Sequence, residues 1–70
     1  MNINYIKRYL MIKIGSPVTV IYYGSRNRKE KYMGILSKIY NNVFIVKLYN
    51  GDIKSFSYND ILTKTVQLYI

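Results

Sequence analysis

Neither cysteine nor histidine occurs in this chain of 70 residues, and the two absences together limit how it can be held folded. A chain this short buries only about 60% of the surface its unfolded form exposes. Small scaffolds make up the difference with disulfides, metals or self-association. Without cysteine there are no disulfides, and without either residue the best zinc ligands are gone. What remains is an apolar core, with self-association as its only aid. Half of the residues are hydrophobic and nine are tyrosine, which is enough for one core and one domain over residues 1–70. The lack of disulfides fits a reducing compartment. No stretch approaches the roughly 20 apolar residues of a membrane span. The apolar start is broken by Lys7, Arg8 and Lys13, with no small-residue cleavage site after it. The expectation is a cytoplasmic protein that makes no membrane contact.

The pattern along the chain is mostly that of strands. Residues 3–14 are the exception: Ile3, Ile6, Leu10 and Ile14 recur at helical spacing. Asn2 or Asn4 suits the cap, Gly15 the end, and Pro17 forbids continuation. From Val18 the period is two, with Val18, Val20 and Tyr22 on one face. Gly24 to Lys31 holds no aliphatic residue and reads as a polar, basic loop or as frayed strand ends. Asn41-Asn42 is a hairpin turn. Centred there, the hairpin sets Ile39 opposite Phe44, Ser37 opposite Val46 and Ile35 opposite Leu48, and Met33 continues that apolar face. The other face carries Lys38 and Lys47, with Leu36 and Ile45 between them. Asn50-Gly51 is the strongest turn signal in the chain. A tight turn there places Ile53 beside Leu48 inside and Lys54 beside Lys47 outside. Like charges so placed repel, so either an anion sits between them or the turn is longer. Phe56 then points outward beside Ile45, unless a bulge turns it in. Ser57 to Asp60 has the form of a capping box, which allows one helical turn before a last strand over 63–69, with Val66 and Leu68 inward. A strand, a basic loop, two hairpins, a helical turn and a closing strand follow the order of a small SH3-like barrel. The fold expected is therefore mainly β: a five-stranded SH3-like barrel over 17–70 with an N-terminal helix over 3–14.

Charge indicates the kind of partner. Eleven basic residues against three acidic give a net charge of +8, which favours a polyanion. AT-rich codon usage adds lysine without any selection for binding, but it does not remove Asp and Glu, whose codons are also AT-rich. The shortage of acids is therefore the better signal. Arg26, Arg28, Lys29 and Lys31 beside Tyr22, Tyr23 and Tyr32 form the first candidate site: the cations meet phosphates and the rings stack on exposed bases. The alternative is a solvated loop that keeps an apolar chain soluble. Lys38, Lys47 and Lys54, with Phe56, form the second, whose alternative is an ordinary solvent face. Tyr5, Tyr9, Tyr40, Tyr49 and Tyr69 read as half-buried packing residues.

The same residues carry a resemblance to a known family. Ile6-Lys7-Arg8-Tyr9-Leu10 followed by Gly15 and Val18 resembles the opening of the Veg family of Gram-positive bacteria and their relatives. Gly34-Ile35-Leu36 through Tyr40 to Val43-Phe44-Ile45-Val46-Lys47-Leu48 is similar to that family's central hairpin. Ser55-Phe56-Ser57-Tyr58-Asn59-Asp60-Ile61-Leu62-Thr63-Lys64-Thr65-Val66-Gln67-Leu68 resembles its ending, Ser-Tyr-Ser-Tyr-x-Asp-Val-Leu-Thr-x-Thr-Val-Glu-Leu. The sequence departs from the family at Asn41, where proline is frequent, and at Gln67, where the family has an acid. The resemblance implies an SH3-like barrel and a cytoplasmic regulator linked to biofilm formation through transcription of matrix genes, with no enzyme activity.

The residue inventory also argues against catalysis. Glu30, Asp52 and Asp60 are the only carboxylates; Asp52 flanks a turn and Asp60 suits a cap. No pair is left for acid–base work, no set for a metal, and no Gly-rich phosphate loop occurs. The expectation is a non-enzymatic protein without cofactor, as a monomer or weak homodimer. Its partner is DNA or RNA, or alternatively an acidic protein such as a transcription regulator bound through Leu36, Ile45 and Phe56.

Overall fold

The computed structural model describes residues 2–24 and 28–70. Their order is α1 (Ile3–Met11), β1 (Pro17–Tyr23), β2 (Lys29–Ile39), β3 (Val43–Leu48), β4 (Ile53–Ser57), α2 (Tyr58–Leu62) and β5 (Val66–Tyr69). The strands form one antiparallel sheet in the order β4-β3-β2-β1-β5. The mainly β architecture, the N-terminal helix and the helical turn before the last strand match the sequence reading. The last strand returns beside the first, as in the expected barrel order, but the sheet is not closed: β4 and β5 are its two edges.

α1 starts where Asn2 caps it, accepting the Tyr5 amide at 2.8 Å. It ends at Met11, short of Ile14, which is exposed. Ile6 and Leu10 are buried from the helix against Val18, Val20, Leu36, Phe44, Val46, Leu48, Phe56, Tyr58 and Val66, and Ile3 packs beside them. Lys7 Nζ reaches Asn41 Oδ1 at 2.9 Å, tying the helix to the β2–β3 turn. Ser57 caps α2 by accepting the Asn59 amide, and Asp60 lies in its first turn. Tyr58 is fully buried, stacks on Phe44 with ring centroids 5.8 Å apart, and donates its hydroxyl to the Tyr40 carbonyl at 2.6 Å.

Two irregularities decide which side chains face this core. The Asn41-Asn42 turn is as expected, and Ile39 pairs with Phe44. At Ser37, however, the register shifts: Leu36 faces Val46 and Gly34 faces Leu48. The expected pairings Ser37–Val46 and Ile35–Leu48 are replaced. The reason is burial. An unbroken ladder would put the Ser37 hydroxyl inside and Leu36 outside, whereas the bulge buries Leu36 completely, a gain of about 2 kcal/mol for such a side chain. Met33 moves with it to the outer face, where it is 51% exposed.

The second irregularity is the β3–β4 turn, which is longer than a two-residue one. The Leu48 amide bonds to the Asp52 carbonyl, and Gly51 takes the left-handed conformation at φ +97°. This form is common in three-residue hairpin loops. It sets Ile53 opposite Lys47 and Lys54 opposite Val46. Ile53 is therefore outside and 66% exposed, and Lys54 takes an inner-face position away from Lys47. Phe56 faces Phe44 and is buried. No anion is needed between two lysines that are not opposed.

Candidate nucleic-acid interface

In a strand, side chains alternate between faces, so the observed register assigns every strand residue to the core side or the solvent side. On β1 the outer face carries Thr19, Ile21 and Tyr23, and on β2 it carries Lys29, Lys31, Met33 and Ile35. On β5 it carries Gln67 and Tyr69. Lys38, paired with Ile45, and Lys47, between Ile35 and Ile53, extend the same face across β2, β3 and β4. Both helices contribute their buried residues to the inner side.

The sequence candidates divide between the two sides. Lys29, Lys31, Lys38 and Lys47 are exposed on the outer face, and Tyr23 joins them opposite Lys29. Lys29 Nζ lies 5.9 Å from the Tyr23 ring centroid. Arg28 is exposed at the mouth of the loop, where the Gly24 amide bonds to its carbonyl at 2.8 Å. Arg26 lies outside the described residues. Lys29 and Lys31, expected in the loop or its frayed ends, are in regular strand paired with Tyr23 and Ile21.

Tyr32 and Lys54 are not part of this face. Tyr32 takes the inner register position beside Val20, donates its hydroxyl to Glu30, and sets its ring 5.8 Å from Phe56. Lys54 Nζ stands 5.3 Å from that ring. The hydrogen bond to Glu30, with partial burial and the carboxylate's charge, holds the Tyr32 phenol above its ordinary pKa. Tyr22 also faces this side, opposite Glu30 and Val66. The second candidate group is thus broken up: Lys38 and Lys47 are outside, Lys54 is on the inner side at an edge, and Phe56 is core. Of the apolar trio Leu36, Ile45 and Phe56, only Ile45 lies on the outer face.

The tyrosines differ from their expected half-buried packing role. Tyr49 is 63% and Tyr69 57% exposed, and Tyr5, Tyr9 and Tyr40 are exposed as well. The core tyrosine is Tyr58, inside the capping-box segment. On the outer face, sequence reasoning missed Met33, Gln67 and Tyr69. Tyr69 donates its hydroxyl to Gln67 Oε1 at 2.8 Å, and Tyr23 reaches the same oxygen at 3.4 Å. The period-two alternation of β5 carried the signal, since with Val66 inward Gln67 and Tyr69 must point out.

Electrostatically the face has one sign. Among the described residues it bears no carboxylate: Glu30 is on the other side of β2, Asp52 is in the β3–β4 turn, and Asp60 is on α2. No group of His, Cys, Asp and Glu fit to hold a metal occurs among the described residues, and no helix among them is long and apolar enough to cross a membrane.

Fold and face together define a small antiparallel-sheet protein whose helices cover one side and whose other side carries exposed lysine and tyrosine side chains around the aliphatic residues Ile21, Met33, Ile35, Ile45 and Ile53, of which Ile21 is buried. The chain belongs to the VEG family of biofilm formation stimulators, whose family model matches residues 1–69. The likeness carried by the opening, the hairpin and the ending thus extends over nearly the whole chain. No curated protein matches it.

Proposed function

We propose that this protein is a non-enzymatic regulator that binds nucleic acid through the outer face of its sheet and acts in the control of transcription within the biofilm role of its family. The observation that carries the reading is the single sign of that face: Lys29, Lys31, Lys38 and Lys47 lie on it, with exposed aromatic rings and, among the described residues, no carboxylate. Solvated surfaces normally intersperse both signs, and neutralising several phosphates at once supplies most of the affinity in non-specific nucleic-acid binding. Arg28 extends the charge toward the loop. Affinity for a labelled oligonucleotide at low salt tests it. Replacing Lys29, Lys31, Lys38 and Lys47 together by alanine is expected to abolish binding, while Lys54→Ala, on the other side, leaves it nearly unchanged. Equal loss from both variants would show that net charge alone matters and that this face is not the interface.

A second reading has its own observation. Between α1, α2 and β5 runs an apolar groove, lined by Tyr5, Tyr9, Ile61, Leu62 and Leu68, with Lys64 its one charged residue. A protein partner with an acidic, apolar segment would fit there. Partners that stay bound in a pull-down after nuclease treatment, and are lost on Tyr9→Ala, would favour this reading over the first.

A further inference from the structure

We infer that the outer face takes single-stranded nucleic acid, with Tyr23 and Tyr69 as base-stacking residues and Gln67 as a hydrogen-bond donor between them. The inference rests on the reading of that face as a nucleic-acid interface and specifies its ligand. The first argument is size. Five strands at about 4.8 Å spacing make a face about 19 Å across, too wide for a major groove of about 12 Å. Such a sheet meets a duplex only at its phosphate ridges, where its rings find no bases. A single strand can lie across it and turn its bases onto the rings.

The second argument is how the rings are held. Tyr23 on β1 and Tyr69 on neighbouring β5 both reach Gln67 Oε1, at 3.4 Å and 2.8 Å. The shared acceptor braces two exposed side chains that would otherwise lose rotamer freedom on binding. Among the described residues the Gln67 amide nitrogen has no hydrogen-bond partner, so it can donate to a base carbonyl or ring nitrogen. The third argument is the placement of charge. Lys29 Nζ lies beside the Tyr23 ring, and Lys31 lies opposite Ile21, which itself faces Gln67. A cation therefore stands directly beside Tyr23, and a second lies in the row of Gln67, two strands away, where the backbone of a strand with stacked bases passes. Stacking of this kind tolerates any base, so the ligand class is single-stranded DNA or RNA without strong sequence preference.

Fluorescence anisotropy at low salt on the full chain tests it, with a labelled oligothymidine or oligouridine of about 12 nucleotides and a duplex of equal length. The single strands are expected to bind at least tenfold tighter than the duplex. Tyr23→Leu and Tyr69→Leu should each weaken single-strand binding by about 5- to 100-fold and leave duplex binding unchanged. Tyr23→Phe, which keeps the ring but loses the hydroxyl bond to Gln67 Oε1, should weaken single-strand binding, though by less than Tyr23→Leu. Gln67→Glu, nearly isosteric, should weaken single-strand binding by placing a carboxylate between the rings. Duplex preference, or leucine and glutamate variants that bind single strands as the parent does, would overturn this inference and leave the nucleic-acid interface standing. No binding of any oligonucleotide would overturn both. Circular dichroism establishes that each variant is folded; if the leucine variants unfold, Gln67→Glu decides.

Discussion

Gly34 lies on the inner face of β2 between Val18 and Leu48, and a β-carbon there would stand 2.2 Å from the Lys47 carbonyl oxygen. Backbone, not a flexible side chain, would have to move. Gly34→Ala is therefore expected to destabilise the fold by about 3 kcal/mol, read from the midpoint of urea unfolding. Tyr58 is the other residue on which much depends. Its burial raises the phenol above its ordinary value of 10.0, so the folded state favours the neutral ring. The stabilisation this represents is complete below pH 10 and is lost as the pH rises through the raised value, and Tyr32 acts in the same direction. Tyr58→Phe should cost about 1 kcal/mol at neutral pH, for the hydrogen bond to Tyr40. It should also lose less stability than the parent between roughly pH 9 and pH 11. Urea titrations at both pH values check the pair of effects.

At the scale of elements, α1 depends on the one face that touches the sheet. A nine-residue helix is marginal by itself, and Ile6 and Leu10 hold it to the core. Leu10→Ala is expected to cost about 2–5 kcal/mol, whereas Ile12→Ala, at a largely exposed site just past the helix, should stay within about 0.5 kcal/mol. Thermal melts distinguish the two. The sequence contained this helix almost to its last turn, because helical spacing is a local property. Ile14 continued the spacing, but Gly15 takes φ +92°, and beyond it the chain turns into β1. The strands were legible in the same way except at their ends, since residues 29–31 read as loop or frayed ends and the last strand, expected from Thr63, begins at Val66; both hairpin turns were placed. The register of the strands was not legible. Nothing local distinguishes a regular ladder from one with an extra residue at Ser37.

For the whole molecule, a net charge of +8 on so small a protein makes any nucleic-acid affinity steeply dependent on salt. The logarithm of the single-strand binding constant should fall with log salt by about 0.7 per phosphate contacted. Lys29→Ala with Lys31→Ala should make that slope shallower by about 1.4, measured by anisotropy across a salt series. A slope unchanged in the double variant would remove both lysines from the interface. The sequence located this charge but not its grouping. Lys38 and Lys47 share a face in the structure as they do in the sequence pattern, while Lys54, one residue out of the expected register, goes to the other side with Tyr32.

Certain features were fixed before any folding: no disulfide, no histidine, one basic chain with three carboxylates, strands and turns at known places. Composition and short-range spacing suffice for these. Only the tertiary structure decided which faces those strands present. Side chains alternate with a period of two, so a single extra residue at Ser37, or one more in the turn at Gly51, moves everything beyond it to the opposite face. Both choices were settled by the core that the distant strands and helices build together, which gains more by enclosing Leu36 and Phe56 than by enclosing Ser37 and Ile53. The open face that remains, with its lysines and with Tyr23, Gln67 and Tyr69, follows from that gain.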